Sequence, residues 1–165
     1  MSIYFQQITT EEYQDWFDYS TTNYANDKVQ AKQWSAEEAL ERAKKETTNY
    51  LADGINTPNH YIYHIVAHDS NVRVGCLWWF LTERCDRRIG FIFDIHIFQQ
   101  YQRQGFAKSA LQHLEEVVLE KQVEALSLHV FAFNTGAYNL YKKLGYVPTS
   151  FSMTRELKNA IAISD

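Results

Sequence analysis

The stretch FIFDIHIFQQYQRQGFAKSALQHL, residues 91–114, decides the fold of this chain. Its first half reads as a strand with two alternating faces: Ile92, Asp94, His96 and Phe98 on one, and Phe91, Phe93, Ile95 and Ile97 on the other. After the turn at Gly105 the apolar residues recur at helical spacing, which predicts a helix over residues 105–120. A helix that begins after such a turn presents free N–H groups and the positive end of its dipole. Residues 102–108 are therefore predicted to bind a phosphate-bearing ligand.

The composition predicts one globular domain. The chain has 165 residues, 45% of them apolar, with only two prolines and six glycines. We expect a single domain over residues 1–157 and a loose tail over residues 158–165. A net charge of −4 argues against nucleic-acid binding. The N-terminus lacks a secretion signal and no apolar run approaches the roughly 18 residues of a membrane span, so we expect a cytoplasmic protein that binds no membrane.

Neither the cysteines nor the histidines predict a reactive site. Cys76 and Cys85 share no metal-binding or redox spacing, which favours reduced thiols. Cys76 lies in an apolar run that would make its thiol inert, and Cys85 has no histidine near it in sequence. His60, His64 and His68 recur every four residues, a spacing that suits a metal site on a helix. On a strand that spacing is about 13 Å, so we expect no metal.

The remaining elements complete a mixed α/β pattern. They are, in order, a strand at residues 2–8, a helix capped by Thr10, a helix opened by a capping box from Ser35 to Glu38, a hairpin from His60, a strand at 125–133, a helix at 136–144 stopped by Gly145, and one or two closing strands from Tyr146.

Two features have two interpretations each. The first helix carries five acids and no basic residue before Lys28; the acids are Glu11, Glu12, Asp15, Asp18 and Asp27. They form either a solvated helix face or an acidic rim that attracts a cationic substrate. Aromatic residues make up 15% of the chain, which fits either an aromatic core or an aromatic-walled ligand pocket.

Two motifs resemble those of the GNAT family of N-acetyltransferases. QRQGFA at residues 102–107 is similar to the family's Q/R-x-x-G-x-G/A motif, and NTGAYNLYKKLGY at residues 134–146 is similar to its N-x-x-A-x-x-L-Y-x-K-x-G-Y/F segment. One helix and one strand separate them, and the order of elements matches over most of the chain. The resemblance implies a central, mostly antiparallel sheet of about seven strands with a splayed strand pair, flanked by about four helices.

The resemblance also implies a co-substrate, acetyl-CoA, and the residues that bind it. The pyrophosphate would lie on the backbone of the turn, with Gln102, Arg103, Gln104, Gly105, Phe106, Ala107 and Lys108 as its binding residues. Main-chain groups of Ile95 and Ile97 would pair with the pantetheine arm, and Asn134 would bond to the same arm. Tyr141 would lie near the thioester sulfur of the bound co-substrate, where its phenol can hydrogen-bond to the departing thiolate or protonate it.

The general base and the acceptor stay open. Asp94 and His96 are both candidates for the base, and both are equally consistent with satisfied polar residues under a helix. The acidic, aromatic N-terminal helices favour a small cationic amine as acceptor, with a peptide or protein amine as an alternative. A non-catalytic acyl-CoA-binding or regulatory domain on the same fold is the rival function. A homodimer through an edge strand or the C-terminal strand is a further alternative.

Overall fold

A computed structural model describes residues 2–157; the predicted tail at 158–165 lies outside the described residues. The elements are β1 (Ile3–Gln7), α1 (Thr10–Gln30), α2 (Ala39–Tyr50), β2 (His60–Ala67), β3 (Val72–Arg84), β4 (Arg87–Ile97), α3 (Phe106–Glu120), β5 (Ala125–Leu128) and α4 (Thr135–Lys143). The predictions of a mixed α/β class and about four helices are confirmed. No helix within residues 2–157 combines the length and apolar character that crossing a membrane requires.

The prediction of about seven strands is wrong: residues 2–157 form one five-stranded sheet in the order β1-β2-β3-β4-β5. The first four strands are antiparallel, and β5 runs parallel to β4. The strand predicted at residues 125–133 ends at Leu128, and the closing strands predicted from Tyr146 have no regular structure. Alternating sequence favours a strand, but a strand also needs a neighbour for its backbone hydrogen bonds, and residues 146–157 have none within their own described chain.

The sheet is buried on both faces. On one face α3 packs against it, and Leu77, Trp79, Leu111 and Leu114 are fully buried there. Truncating Leu111 to Ala would leave a cavity costing about 2–5 kcal/mol of stability. On the other face α1 and α2 cover Trp78 and its neighbours. Trp78 and Trp79, adjacent on β3, therefore lie on opposite faces of the sheet.

The helix starts differ in detail from those predicted. Thr9, not Thr10, caps α1: its hydroxyl accepts from the Glu12 N–H at 3.3 Å, and the Glu12 carboxylate accepts from the Thr9 N–H at 3.0 Å. The capping box predicted at Ser35 is absent, since α2 begins after Glu38 with no side-chain hydrogen bond at its cap.

Candidate active site

A β-bulge interrupts β4 at Phe93. Trp78 of β3 pairs with Asp94, but the next residue, Trp79, pairs with Ile92, so β4 contains one residue more than its partner. A bulge of this kind bends the strand and re-aims the side chains around it.

The bulge corrects the predicted strand faces. Phe93 stacks on Trp78 at 4.2 Å and Phe91 lies 5.2 Å from Phe93, so both rings face α1 and α2, together with Asp94. Ile92 instead joins the core beneath α3. Strict alternation had placed Phe93 and Asp94 on opposite faces and Ile92 on the same face as Asp94. Both assignments are wrong, because the extra residue reverses the alternation of faces after the bulge.

A gap opens between β4 and β5 immediately after the bulge. The two strands pair only from Ile89 to Ile92, opposite Ala125 to Leu128. Farther along, the Phe98 N–H donates to the Val74 carbonyl of β3 at 2.9 Å. By alternation the main-chain groups of Ile95 and Ile97 point into the gap. The Ile97 carbonyl already accepts a hydrogen bond from Gln102 Nε2 at 2.9 Å, so its N–H is the group left for a ligand.

The predicted anion-binding turn leads from the end of β4 into α3. Arg103 and Gly105 adopt left-handed backbone conformations, with φ of 61° and 91°. The first intrahelical bond is from the Ser109 N–H to the Gly105 carbonyl at 3.1 Å, so the N–H groups of residues 106–108 have no helical acceptor. Phe106 is buried in the core, which leaves only its backbone for a ligand. Apart from Gly105 and its two chain neighbours, no residue has an atom within 4 Å of the position that a Cβ on Gly105 would occupy.

The second motif forms a turn that faces the first. Asn134 caps α4, and its Oδ1 accepts from the Ala137 N–H at 3.1 Å. The side-chain amide of Asn134 therefore keeps its N–H donors for a ligand. Arg103 reaches across from the first turn, with its guanidinium 4.0 Å from the position of a Cβ built on Gly136.

A cavity of about 380 Å³ lies where β4 and β5 diverge. Its volume falls within the usual range for small-molecule sites. Three predicted catalytic residues, Asp94, His96 and Tyr141, line it, and so does Asn134. The other walls come from α1, α2, β3, β4, β5 and the residues that follow β5: Ser20, Asn23, Tyr24, Asp27, Lys28, Glu46, Thr47, Tyr50, Trp78, Phe91, Ile92, Phe93, Ile95, Leu128, His129, Val130 and Phe131.

Asp94 has an unusual environment for a carboxyl group. Burial raises its pKa from 3.8 to about 6; the hydrogen bond from Ser20 Oγ opposes this shift, and the charge of Asp27 adds to it. The Ser20 Oγ to Asp94 Oδ2 distance is 3.3 Å. A carboxyl with a pKa near 6 is ionised at neutral pH and can still accept a proton, which is the property of a general base.

Burial shifts the pKa values of Tyr141 and His96 in opposite directions. Burial, with a further contribution from the charge of Asp94, raises the pKa of Tyr141 to about 12, so the phenol keeps its proton at neutral pH. Burial lowers the pKa of His96, which favours a neutral imidazole. His96 packs edge-on against Tyr19 at a ring distance of 5.2 Å.

Some acids of α1 belong to a solvated helix face, and one of them forms part of an acidic rim at the cavity. Glu12 lies within 2.6 Å of Arg73 and caps its own helix, and Asp18 lies 3.5 Å from Lys44, so both are structural surface groups. Asp27 alone among the five acids lines the cavity, where Glu46 of α2 joins it. Glu46 accepts a hydrogen bond from the Tyr24 hydroxyl at 3.1 Å.

Sequence reasoning named Asp27 only as one of five acids in a possible acidic rim, and it did not identify the other α1 and α2 residues of this wall. Ser20, Tyr24 and Asp27 recur at i, i+4 and i+7, a spacing that places them on one helix face. Since they are polar or aromatic rather than aliphatic, that face does not stand out as apolar. Glu46 and Tyr50 repeat the spacing on α2, and only the pairing of the two helices brings both faces to Asp94.

The chain matches known proteins over nearly its whole length. Residues 7–146 match the model of the acetyltransferase (GNAT) family. The chain is 32% identical to the uncharacterized N-acetyltransferase YycN of Bacillus subtilis, over 95% of this chain and 100% of that protein. Another Bacillus subtilis protein, the uncharacterized N-acetyltransferase YdgE, is 31% identical over 95% of this chain and 99% of its own.

One solved structure and one partial relative add to this. The crystal structure of the putative acetyltransferase YycN superposes with a TM-score of 0.91, covering 96% of this chain and 100% of that chain. A thialysine N-epsilon-acetyltransferase of Mus musculus is 33% identical over 42% of this chain and 41% of its own length.

Proposed function

The chain belongs to the acetyltransferase (GNAT) family and is an N-acetyltransferase, and from that premise we propose that it transfers the acetyl group of acetyl-CoA to a small cationic amine. One observation supports this assignment most. A carboxyl whose pKa suits a base, Asp94, and a protonated phenol, Tyr141, line the same cavity where β4 and β5 diverge.

Acetyl-CoA would bind as a substrate along the gap and the turn. The free N–H groups of residues 106–108 and the dipole of α3 suit its pyrophosphate, and Arg103 adds a positive charge between the two turns. The N–H of Ile97 and the main-chain groups of Ile95 would bond to the pantetheine arm, joined by the Asn134 amide. That placement directs the thioester toward the cavity.

The chemistry follows from the two ionisable groups. The acceptor ammonium loses a proton to Asp94, either directly or through water, and its nitrogen attacks the thioester carbonyl carbon. The carbon–sulfur bond then breaks and Tyr141 donates its proton to the departing thiolate, while the nitrogen gives up its remaining extra proton to the phenolate; the proton on Asp94 returns to solvent. Burial lowers the pKa of His96, which makes its imidazole a weaker base, and its ring packs edge-on against Tyr19, so Asp94 is the better candidate base.

The cavity wall favours a cationic acceptor. Asp27, Glu46 and Asp94 supply carboxyl groups, and aromatic faces such as Tyr24 and Trp78 attract cations through their ring electrons. Lys28 is the basic residue among the lining residues of this cavity. The partial relative named for thialysine also acts on a small amine by its name, which agrees with this acceptor class.

The test is a thiol-release assay. The full chain is incubated with acetyl-CoA and a panel comprising diamines, amino sugars, amino acids and N-terminal peptides, and free CoA is measured. We expect release with the small cationic amines. Release with peptides alone would reassign the acceptor to a protein amine. CoA binding without release on any amine would instead favour a non-catalytic acyl-CoA-binding domain.

A further inference from the structure

Lys28, in the last turn of α1, is held in the cavity wall by aromatic rings. The ring centroids of Tyr24, Trp34 and Phe131 lie 5.4, 5.2 and 5.7 Å from its ammonium nitrogen. Within the described chain the ammonium donates a hydrogen bond to Gln33 Oε1 at 2.8 Å. None of the ion pairs within residues 2–157 involves Lys28. An ammonium has three N–H donors, so Lys28 keeps its positive charge and further donors for a ligand.

Asp27, the residue before Lys28, brings a carboxyl group to the same cavity. Burial raises the pKa of Asp27 above its ordinary value of 3.8, and the charge of Asp27 in turn raises the pKa of Asp94. In the part of the chain that the structure describes, no ion pair involves Asp27 either. Consecutive residues on a helix do not face each other, so these two opposite charges line one cavity without neutralising one another.

The part of α1 that lines the cavity runs from Ser20 to Lys28. Ser20 donates to Asp94 at 3.3 Å, and a rise of 1.5 Å per residue places Lys28 about 12 Å farther along the helix axis. An extended lysine molecule measures roughly 7.5 Å from its side-chain nitrogen to its carboxylate carbon, with bonds of about 1.5 Å. A hydrogen bond of about 3 Å at each end extends this span to about 13 Å. An amino acid of that length therefore reaches from the Asp94 end of the wall to the Lys28 end.

We propose that Asp27 and Lys28 together bind the head group of the acceptor, and that the acceptor is a free α-amino acid with an amine on its side chain. The α-ammonium pairs with Asp27 and the α-carboxylate with Lys28, which leaves the side-chain amine at the Asp94 end, where the acetyl group is transferred. Glu46 is less available for the α-ammonium, because it already accepts a hydrogen bond from the Tyr24 hydroxyl.

The inference rests on the proposed function and narrows its acceptor class. A diamine would pair with the carboxylates of the cavity but would bring a second cation toward Lys28. A lysine within a peptide chain lacks both charges of the head group. A free basic amino acid carries a net positive charge, as the cavity favours, and also supplies the carboxylate that Lys28 requires.

The first test compares acceptors that differ from L-lysine by one group. The full chain is incubated with acetyl-CoA, and CoA release gives kcat/KM for L-lysine, for lysinamide and 1,5-diaminopentane, which lack the carboxylate, and for Nα-acetyllysine, which lacks the α-ammonium. L-lysine should exceed each of the others by at least about tenfold, because each lacks one charged hydrogen-bonding group. Mass-spectrometric fragmentation of the product should place the acetyl group on the side-chain nitrogen. Acetylation of the α-nitrogen overturns the proposed orientation.

The second test removes the charge of Lys28. Lys28→Met keeps an unbranched side chain without the charge; it should raise KM for L-lysine at least about tenfold with kcat within about twofold, and should lower KM for 1,5-diaminopentane by removing a repulsion. Lys28→Arg retains the charge and should keep the preference for L-lysine over the diamine. Lys32→Met is the matched control, since Lys32 pairs with Glu156 on the surface and lies outside the cavity lining, and its KM for L-lysine should equal that of the wild type.

The affinity for CoA identifies which substrate Lys28 binds. Calorimetry should give the same CoA dissociation constant for Lys28→Met and the wild type. An unchanged KM for L-lysine in Lys28→Met overturns the inference, and so does a loss of CoA affinity in a variant that unfolds at the wild-type temperature, since Lys28 would then bind the co-substrate.

Failure of this inference is distinguishable from failure of the proposed function. If diamines are acetylated as efficiently as L-lysine, the head-group assignment is overturned, while acetyl transfer to a small cationic amine stands. If no amine releases CoA, the proposed function is overturned and this inference with it.

Discussion

Replacing Asp94 with Asn should stabilise the protein at neutral pH while removing most of its activity. Burial raises the pKa of Asp94 from 3.8 to about 6 in the folded state. Between those two values the folded chain keeps a proton that the unfolded chain releases, so the free energy of unfolding falls as pH rises through this range. Above about pH 6 the ionised Asp94 lowers the free energy of unfolding by its full amount. A difference of about two pK units corresponds to about 3 kcal/mol at most.

The expected gain is smaller than that limit because Asp94 opens onto a cavity that solvent enters. We expect Asp94→Asn to add about 1–2 kcal/mol to the unfolding free energy at pH 7.5 and almost nothing at pH 4, where the folded carboxyl is already protonated. The measurement is urea denaturation at both pH values. Asp69→Asn, in the exposed turn between β2 and β3, is the control that changes the same charge without burial. A variant that is less stable at pH 7.5, or equally more stable at pH 4, refutes the reasoning.

The activity of the same variant tests the role of the carboxylate. Loss of a general base lowers turnover by about 10²–10⁴-fold. The pH profile of kcat/KM for the wild type should fall below about pH 6, and this limb should vanish in Asp94→Asn. Ser20→Ala should move the limb to higher pH, because the hydrogen bond from Ser20 lowers the pKa of Asp94. If Asp94→Asn keeps the limb, the base is another group, and His96 is the next candidate.

Three further predictions concern the other parts of the site. Tyr141→Phe should lower turnover about 100-fold while the CoA dissociation constant, measured by calorimetry, stays within about threefold; unchanged turnover removes the acid role. Gly105→Glu should abolish CoA binding by blocking the turn and repelling the pyrophosphate, whereas Gly105→Asn, which tolerates the left-handed backbone, should bind; normal affinity in the Glu variant refutes the pyrophosphate site. Glu46→Gln should raise KM for diamines about fivefold with kcat unchanged, and Glu41→Gln, on the same helix but outside the cavity lining, should not; equal KM values would remove Glu46 from the acceptor site.

Local patterns predicted the elements whose partners are adjacent in sequence. The helix after Gly105 was readable because its apolar period and its glycine turn are local, and Asn134 and Gly145 bracket α4 for the same reason. The motifs at residues 102–107 and 134–146 also gave the family, which the comparisons confirm. The predictions for the individual site residues of this chain remain to be tested.

Features that depend on distant partners could not be predicted. The bulge at Phe93 is defined by the register with β3, and nothing in the residues 91–98 marks one of them as extra. The cavity wall depends on the pairing of α1 with α2, which brings Tyr24 next to Glu46. Residues 146–157 have the alternating pattern of a strand but form none, because the pattern specifies only which face is apolar and cannot supply a neighbouring strand.

The extra residue at the Phe93 bulge reverses which positions of β4 face the cavity. Up to Phe93 the odd-numbered residues face the cavity, and from Asp94 onward the even-numbered residues do. Loss of any single residue between Phe91 and Asp94 would restore a regular strand, and the sheet would still be able to form. The same loss would keep Phe91 and Asp94 on the cavity side but would remove Phe93 from it, and with it the ring that stacks on Trp78 at 4.2 Å. The length of β4 is therefore constrained by chemistry more tightly than by folding, and homologous enzymes that use the same site should preserve its residue count even where they exchange its side chains.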